Sequence, residues 1–284
     1  MNLRIAIQSK GRLFEETTEL LLESGIKLNN IKRTLLVPAK DFPVEILFLR
    51  DDDIPQAVST GVADIGIVGE NEFVEKNENA RIVKRLGFSK CRLSLAIPKS
   101  EDYNGLEWFN DKKIATSYPH ILSNYLKQNN IKSEIHIISG SVEISPSIGL
   151  SDAIFDIVSS GGTLVSNRLK EVEVIMNSEA LLIANNNLTD DKQCILNELI
   201  FRIEAVQTAQ NKKYILLNAP KEKLDEIFAL LPGMRSPTVT HLATEGWCSV
   251  QSVIEEKQFW SVINRLKNLG AEGIIVLPIE KMIL

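Results

Sequence analysis

The feature that most narrows the possible folds is a rhythm. From Leu3 onward, short strand-like runs alternate with helix-spaced segments. Leu3, Ile5 and Ile7 alternate with other residues as in a strand, and Leu13, Phe14, Thr17, Leu20 and Leu21 then recur at helical spacing as far as Gly25. Strand patterns follow over 44–49, 65–68 and 92–97, with a helix over 54–59. Such a βαβ order predicts a mostly parallel sheet covered by helices. After Pro98 the polar stretch 99–113 reads as a crossover. A second set comes next: strand 113–116, helix 121–128, strand 134–138, strand 153–158 and a helix from about Gly162. Strand 180–183 and a helix over about 191–210 close this portion. Two α/β lobes built this way, with a chain that crosses and returns, leave a cleft between them, a preferred place for ligands.

At Lys212 the rhythm changes. Strand 214–217, helix 222–231, strands 239–242 and 248–253, helix 258–269 and strand 273–277 give the order βαββαβ, which predicts a ferredoxin-like unit. It holds few ionisable groups arranged for chemistry, so a regulatory or assembly role is expected of it. Length agrees: 284 residues suggest about two domains. Lobe I is expected at 1–97 plus about 179–210, lobe II at 98–178, and the third unit at 211–284.

Composition removes several classes. Hydrophobic residues make up 44% and charged residues 24%, an ordinary globular balance. A net charge of −5 argues against coating nucleic acid or an anionic membrane. Cys91, Cys194 and Cys248 are odd in number and far apart, which fits a reducing compartment rather than a disulfide framework. With His120, His136 and His241 they show no zinc-binding spacing. Lys10 precedes any signal-like apolar stretch, and no run reaches the ~18 residues of a membrane span. A cytoplasmic protein is the expectation.

The segment 151–164, SDAIFDIVSSGGTL, is the richest in chemistry. A buried strand ends in Ser159, Ser160, Gly161, Gly162 and Thr163, whose N–H and hydroxyl donors can cradle an anion. The plainer reading is a loop turned by glycines. Asp152 and Asp156 fall on one strand face and can hold sugar hydroxyls or a magnesium ion. Lys10 and Arg12, in QSKGR, and Arg50, in RDDD, stand at carboxyl ends of strands, either as solvated turns or as phosphate partners. Arg92, a charge within a strand pattern, is a paired core charge or a pocket residue. These groups together describe a ligand with several phosphates.

Taken in order, KGRL (10–13), LRDDDIP (49–55), ADIGIVGE (63–70), CRLSLAIP (91–98), ATSYP (115–119), GSVE (140–143) and GLSDAIFDIVSSGGTL (149–164) resemble the ATP phosphoribosyltransferase family. LPGMRSPT (231–238) and GAEGIIV (270–276) resemble the tail of its long form. The resemblance implies a two-lobed catalytic part like periplasmic binding proteins and a ferredoxin-like regulatory domain. It implies transfer of the 5-phosphoribosyl group of phosphoribosyl pyrophosphate (PRPP) to N1 of ATP, with Mg2+, in a hexamer in equilibrium with dimers and inhibited by histidine. By the same resemblance, Asp152 and 156–163 bind PRPP, and Lys10, Arg12 and Arg50 face the diphosphate or triphosphate. Glu70, Arg92, Tyr118 and Glu143 line the cleft, and Asn218, Thr238 and Gly273 approach the histidine pocket. Two alternatives remain open on sequence: a two-lobed binding or sensor protein, and a phosphoribosyltransferase for another base.

Overall fold

In the computed structural model, residues 2–28 and 35–284 are described. Two compact units emerge. One holds Ile26–Leu196 with the N-terminal residues up to Leu22, and the other holds Asn197–Leu284 with Glu23–Gly25.

The first unit contains two lobes. Lobe I begins with β1 (Leu3–Gln8), α1 (Arg12–Glu23), β2 (Leu36–Pro38), β3 (Val44–Leu49), α2 (Ile54–Ser59), β4 (Ile65–Gly69), α3 (Glu70–Lys76) and β5 (Ala80–Arg85). Lobe II holds β6 (Cys91–Pro98), β7 (Lys113–Thr116), α4 (Pro119–Gln128), β8 (Glu134–Ile137), β9 (Ala153–Val158), α5 (Gly162–Ser166) and β10 (Leu169–Ser178). The chain then returns to lobe I as β11 (Ala180–Asn185) and continues into α6 (Asp190–Ala209).

Among the described residues, lobe I's sheet has the order β2-β3-β1-β4-β11-β5 and lobe II's the order β10-β6-β9-β7-β8. Only part of each is parallel: β3-β1-β4 at the centre of the first, and β9-β7-β8 at one end of the second. The mostly parallel sheet expected from the rhythm is therefore corrected to two mixed sheets, because β11 returns antiparallel between β4 and β5, and β6 and β10 run antiparallel beside β9.

The expected border also moves. β6 was assigned to lobe I, yet it hydrogen-bonds to β9 and β10 and so belongs to lobe II. The crossover falls before Cys91 rather than after Ile97. The two crossing segments lie side by side: Leu86 N–H donates to Ala180 O at 2.9 Å, and Ala180 N–H to Phe88 O at 3.0 Å. Lobe II's sheet is packed on both faces, by Leu93, Leu95, Ile97 and Phe155 on one and by Ala96, Ile154, Val158 and Leu164 on the other.

The second unit carries β12 (Lys212–Pro220), α7 (Leu224–Leu230), β13 (Thr238–His241), β14 (Trp247–Glu255), α8 (Glu256–Asn268) and β15 (Glu272–Pro278). Its sheet order is β13-β14-β12-β15, antiparallel throughout, the ferredoxin-like arrangement. Alternate residues Ile215, Leu217 and Ala219 pack into the core with Ile227 and Leu266 of the two helices. No helix among the described residues is long and apolar enough to cross a membrane.

Candidate active site

The site grows from the end of β9. Its apolar residues Ala153, Ile154, Phe155 and Val158 are buried. The strand therefore delivers its last residues into a turn, 159–163, fixed against the core. Gly161 has φ +81°, a left-handed conformation that suits glycine. Ser159, Ser160, Gly161 and Thr163 line a cavity of about 240 Å³ together with Asp156 and Glu143. Among the described residues neither the Ser160 nor the Gly161 N–H has a protein acceptor. Gly162 N–H lies 3.5 Å from Ser160 Oγ.

Asp156 faces this cavity. Burial, with the nearby Glu143 carboxylate adding to it, raises its pKa from 3.8 to about 6, although Ile157 N–H donates to it at 2.8 Å. Asp152 does not join it. Four residues at ~3.3 Å each separate their Cα atoms by ~13 Å along β9. Asp152 thus lies at the end remote from the turn, its Oδ2 accepting the Lys113 N–H at 2.8 Å. The two carboxylates share a face but not a ligand, so the expected shared sugar or magnesium site at Asp152 is corrected. Same-face spacing was read without the rise of the strand.

Lobe I meets the turn through Arg12. Its Nη1 donates to Ser159 Oγ at 3.0 Å and its Nη2 to Lys90 O at 3.1 Å. Lys10 is exposed in the same β1–α1 connection. Arg50 follows β3, which pairs with β1 along its length, so the three cations share the carboxyl edge of adjacent strands. The Arg50 side chain is 79% exposed and only lightly held, with Nε 3.3 Å from Asp52.

Arg92 is a paired charge, but it is half-buried rather than in the core and is not among the residues that line the cavity. It forms a two-pronged pair with Glu171 at 2.5 and 2.6 Å, and its Nη1 donates to Ser159 O at 3.2 Å. Tyr118 is buried. Its hydroxyl donates to Glu72 of lobe I at 2.9 Å and accepts from Asn71 at 3.2 Å, and burial beside Glu72 pushes its pKa far up. Glu70 is engaged by Arg85 through two hydrogen bonds and so is not a free cleft carboxylate.

In the second unit, Asn218 and Gly273 meet on neighbouring strands. A Cβ at Gly273, whose φ is +59°, would lie 3.3 Å from Asn218 Nδ2. Thr238 shares their sheet but pairs with Gln251, two strands from β12's Asn218 in the order β13-β14-β12. Within one chain the three do not converge. Sequence reasoning missed Glu171, Glu72 and Asn71. Glu171 carried a signal, since K-E-V-E-V alternates as a strand with one acidic face.

Fold and site together define a two-lobed α/β protein in which a glycine- and hydroxyl-rich turn of one lobe is met by Arg12 of the other. The comparisons with known proteins narrow this to one family. The sequence pattern described as ATP phosphoribosyltransferase matches residues 50–205, and the C-terminal domain of the same family matches 209–281. ATP phosphoribosyltransferase from Bacteroides thetaiotaomicron is 70% identical over 99% of both chains, and that of Cytophaga hutchinsonii is 57% identical over 99% of this chain and 98% of its own. An ATP phosphoribosyl transferase (HisG:HisZ) complex from Thermotoga maritima contains a chain 28% identical with TM-score 0.62, covering 71% of this chain and 96% of that one. The chain belongs to the ATP phosphoribosyltransferase family, in its long form, and is an enzyme of the first step of histidine biosynthesis.

Proposed function

We propose that the enzyme moves the 5-phosphoribosyl group of PRPP to N1 of ATP, releasing diphosphate and N1-(5-phosphoribosyl)-ATP. The bond from the anomeric carbon to the diphosphate oxygen breaks while the bond to N1 forms. Adenine N1 brings its own lone pair, so no activated Ser, Cys or His is required. Positive charge develops on the ribose ring and negative charge on the leaving oxygens. Arg12, Lys10 and Arg50 are placed to meet the negative charge. The N–H and hydroxyl groups of 159–163 would hold the 5-phosphate, and Asp156 the ribose hydroxyls. Holding two large anions in one cleft supplies much of the barrier reduction.

Phosphoribosyltransferases generally use a divalent metal ion, and Mg2+ is the one proposed. The residues fit it. Mg2+ typically takes one or two carboxylates and completes its shell with substrate phosphates and water. Asp156 and Glu143 offer two carboxylates beside the turn, and no group of three or more His, Cys, Asp and Glu occurs among the described residues. When bound, the ion neutralises diphosphate charge.

The observation that carries this reading is the reach of Arg12 across the lobes to the turn at Ser159. It puts a cation within bonding distance of the cradle expected to hold the sugar phosphate. We further propose a homo-hexamer in equilibrium with dimers, and inhibition by histidine through the ferredoxin-like unit. The test mixes Mg2+, PRPP and ATP and follows diphosphate together with an ATP adduct. Both products support the reading. Diphosphate formed only with another base, or binding without turnover, overturns it.

A further inference from the structure

We propose that Glu171 is a positioning residue for the transfer: acting through Arg92, it fixes the peptide between Ser159 and Ser160 so that the Ser160 N–H is presented to the phosphate of the sugar substrate. The inference rests on the reading of 159–163 as the sugar-phosphate cradle and adds a residue that the cradle itself does not contain.

Three contacts build the clamp. Glu171, on β10, grips the Arg92 guanidinium with both carboxylate oxygens, at 2.5 and 2.6 Å. Ser94, buried on β6, spends its hydroxyl proton on the same carboxylate at 2.6 Å. These donors hold the Glu171 pKa below its ordinary value, so the carboxylate stays charged. Arg92, oriented by that grip, uses a third N–H on Ser159 O at 3.2 Å. A two-pronged guanidinium–carboxylate pair is directional as well as strong, which suits it to aiming the remaining donor.

The consequence for the turn is geometric. A trans peptide is planar, and its C=O and N–H point in opposite directions; no cis bond occurs among the described residues. With the Ser159 carbonyl drawn toward Arg92, the Ser160 N–H points away from it. Ser160 lines the cavity, and among the described residues its N–H has no protein acceptor. An unclamped peptide at this exposed position could rotate and turn a carbonyl, an anion-repelling group, toward the phosphate. The β10–β6 ladder has a register shift between Glu171 and Glu173, a bulge of the kind that re-aims a side chain near a working site.

The experiment compares wild type, Glu171→Gln, Arg92→Lys and the double variant. Calorimetric binding of PRPP and of ATP is measured separately, alongside KM and kcat. Glu171→Gln should weaken PRPP binding and raise its KM by about tenfold, the scale of one charged hydrogen bond lost. ATP affinity should be unchanged. Arg92→Lys, which loses the fork, should do the same, and the double variant should be no worse than the weaker single one, since one clamp can be broken only once. If Glu171→Gln does not fold, Glu171→Asp, which keeps the charge and shortens the reach, carries the same expectation. PRPP affinity within twofold of wild type, equal losses for both substrates, or additive losses would each overturn the proposal. A wild type that binds no PRPP would overturn the cradle reading as well, and is told apart because the wild-type protein is then itself silent.

Discussion

Asp156, the carboxylate proposed to hold the ribose, sits where burial works against stability. Folding raises its pKa from 3.8 to about 6, chiefly by burial. The folded state therefore takes up a proton more readily than the unfolded state between those values. Its contribution is destabilising at pH 7 and is relieved as pH falls toward 4. Asp156→Asn should accordingly stabilise the protein at pH 7 by ~1–3 kcal/mol, an advantage that shrinks to nothing near pH 4 in urea-unfolding difference curves. The same substitution should cost PRPP binding. In the wild type, kcat/KM for PRPP should fall below about pH 6. Phosphate ionisation near pH 6 falls in the same range, so the pH profile of the Asn variant, flattened only by the protein's share, separates the two. At this scale the sequence was partly legible. Ser159 to Thr163 announced themselves through glycine and hydroxyl density, and Arg12 through its place after a strand. Asp152 misled, because a period of two reports the face of a strand and not the distance along it.

Among elements, α4 shows what a linear reading leaves out. Pro119 opens the helix and Tyr118 provides no side-chain cap. The missing acceptor comes from α3 of the other lobe: Glu75 accepts the His120 N–H at 2.8 Å and the Ile121 N–H at 3.0 Å. A carboxylate there also complements the positive end of the helix. Glu75→Ala should lower stability by ~1–2 kcal/mol, read as a lower thermal midpoint, and Glu75→Gln by less because it keeps the acceptor. Helix 121–128 was foreseeable from apolar spacing, but a cap supplied from more than forty residues upstream was not. Strands β2, β5 and β10 escaped the sequence reading for related reasons. β5 is a sheet edge with Arg81, Lys84 and Arg85 in six residues, and edges carry charge that dilutes the apolar alternation. β10 alternates acidic with apolar residues directly after a glycine turn and short helix that dominate the local pattern. α3 (Glu70–Lys76) escaped the sequence reading as well.

For the molecule as a whole, the change of rhythm at Lys212 was the clearest large-scale signal, and β12 begins at that residue. The contact boundary lies earlier, at Asn197, because α6 runs from one compact unit into the other. A continuous helix has no break for composition to reveal. Deleting 212–284 should leave a chain that still condenses ATP with PRPP but no longer responds to histidine, as followed by diphosphate release with and without the amino acid. Inhibition that survives the deletion would place the effector elsewhere.

The two crossings between the lobes, bonded to each other through Leu86, Phe88 and Ala180, carry a mechanical corollary. Like a door hung on two pins, paired connections resist twisting and sliding while leaving one soft swing about the line that joins them. A ligand gripped by both jambs would then register as a single angle, and anything that stiffens that swing would slow both arrival and departure without touching a reacting atom.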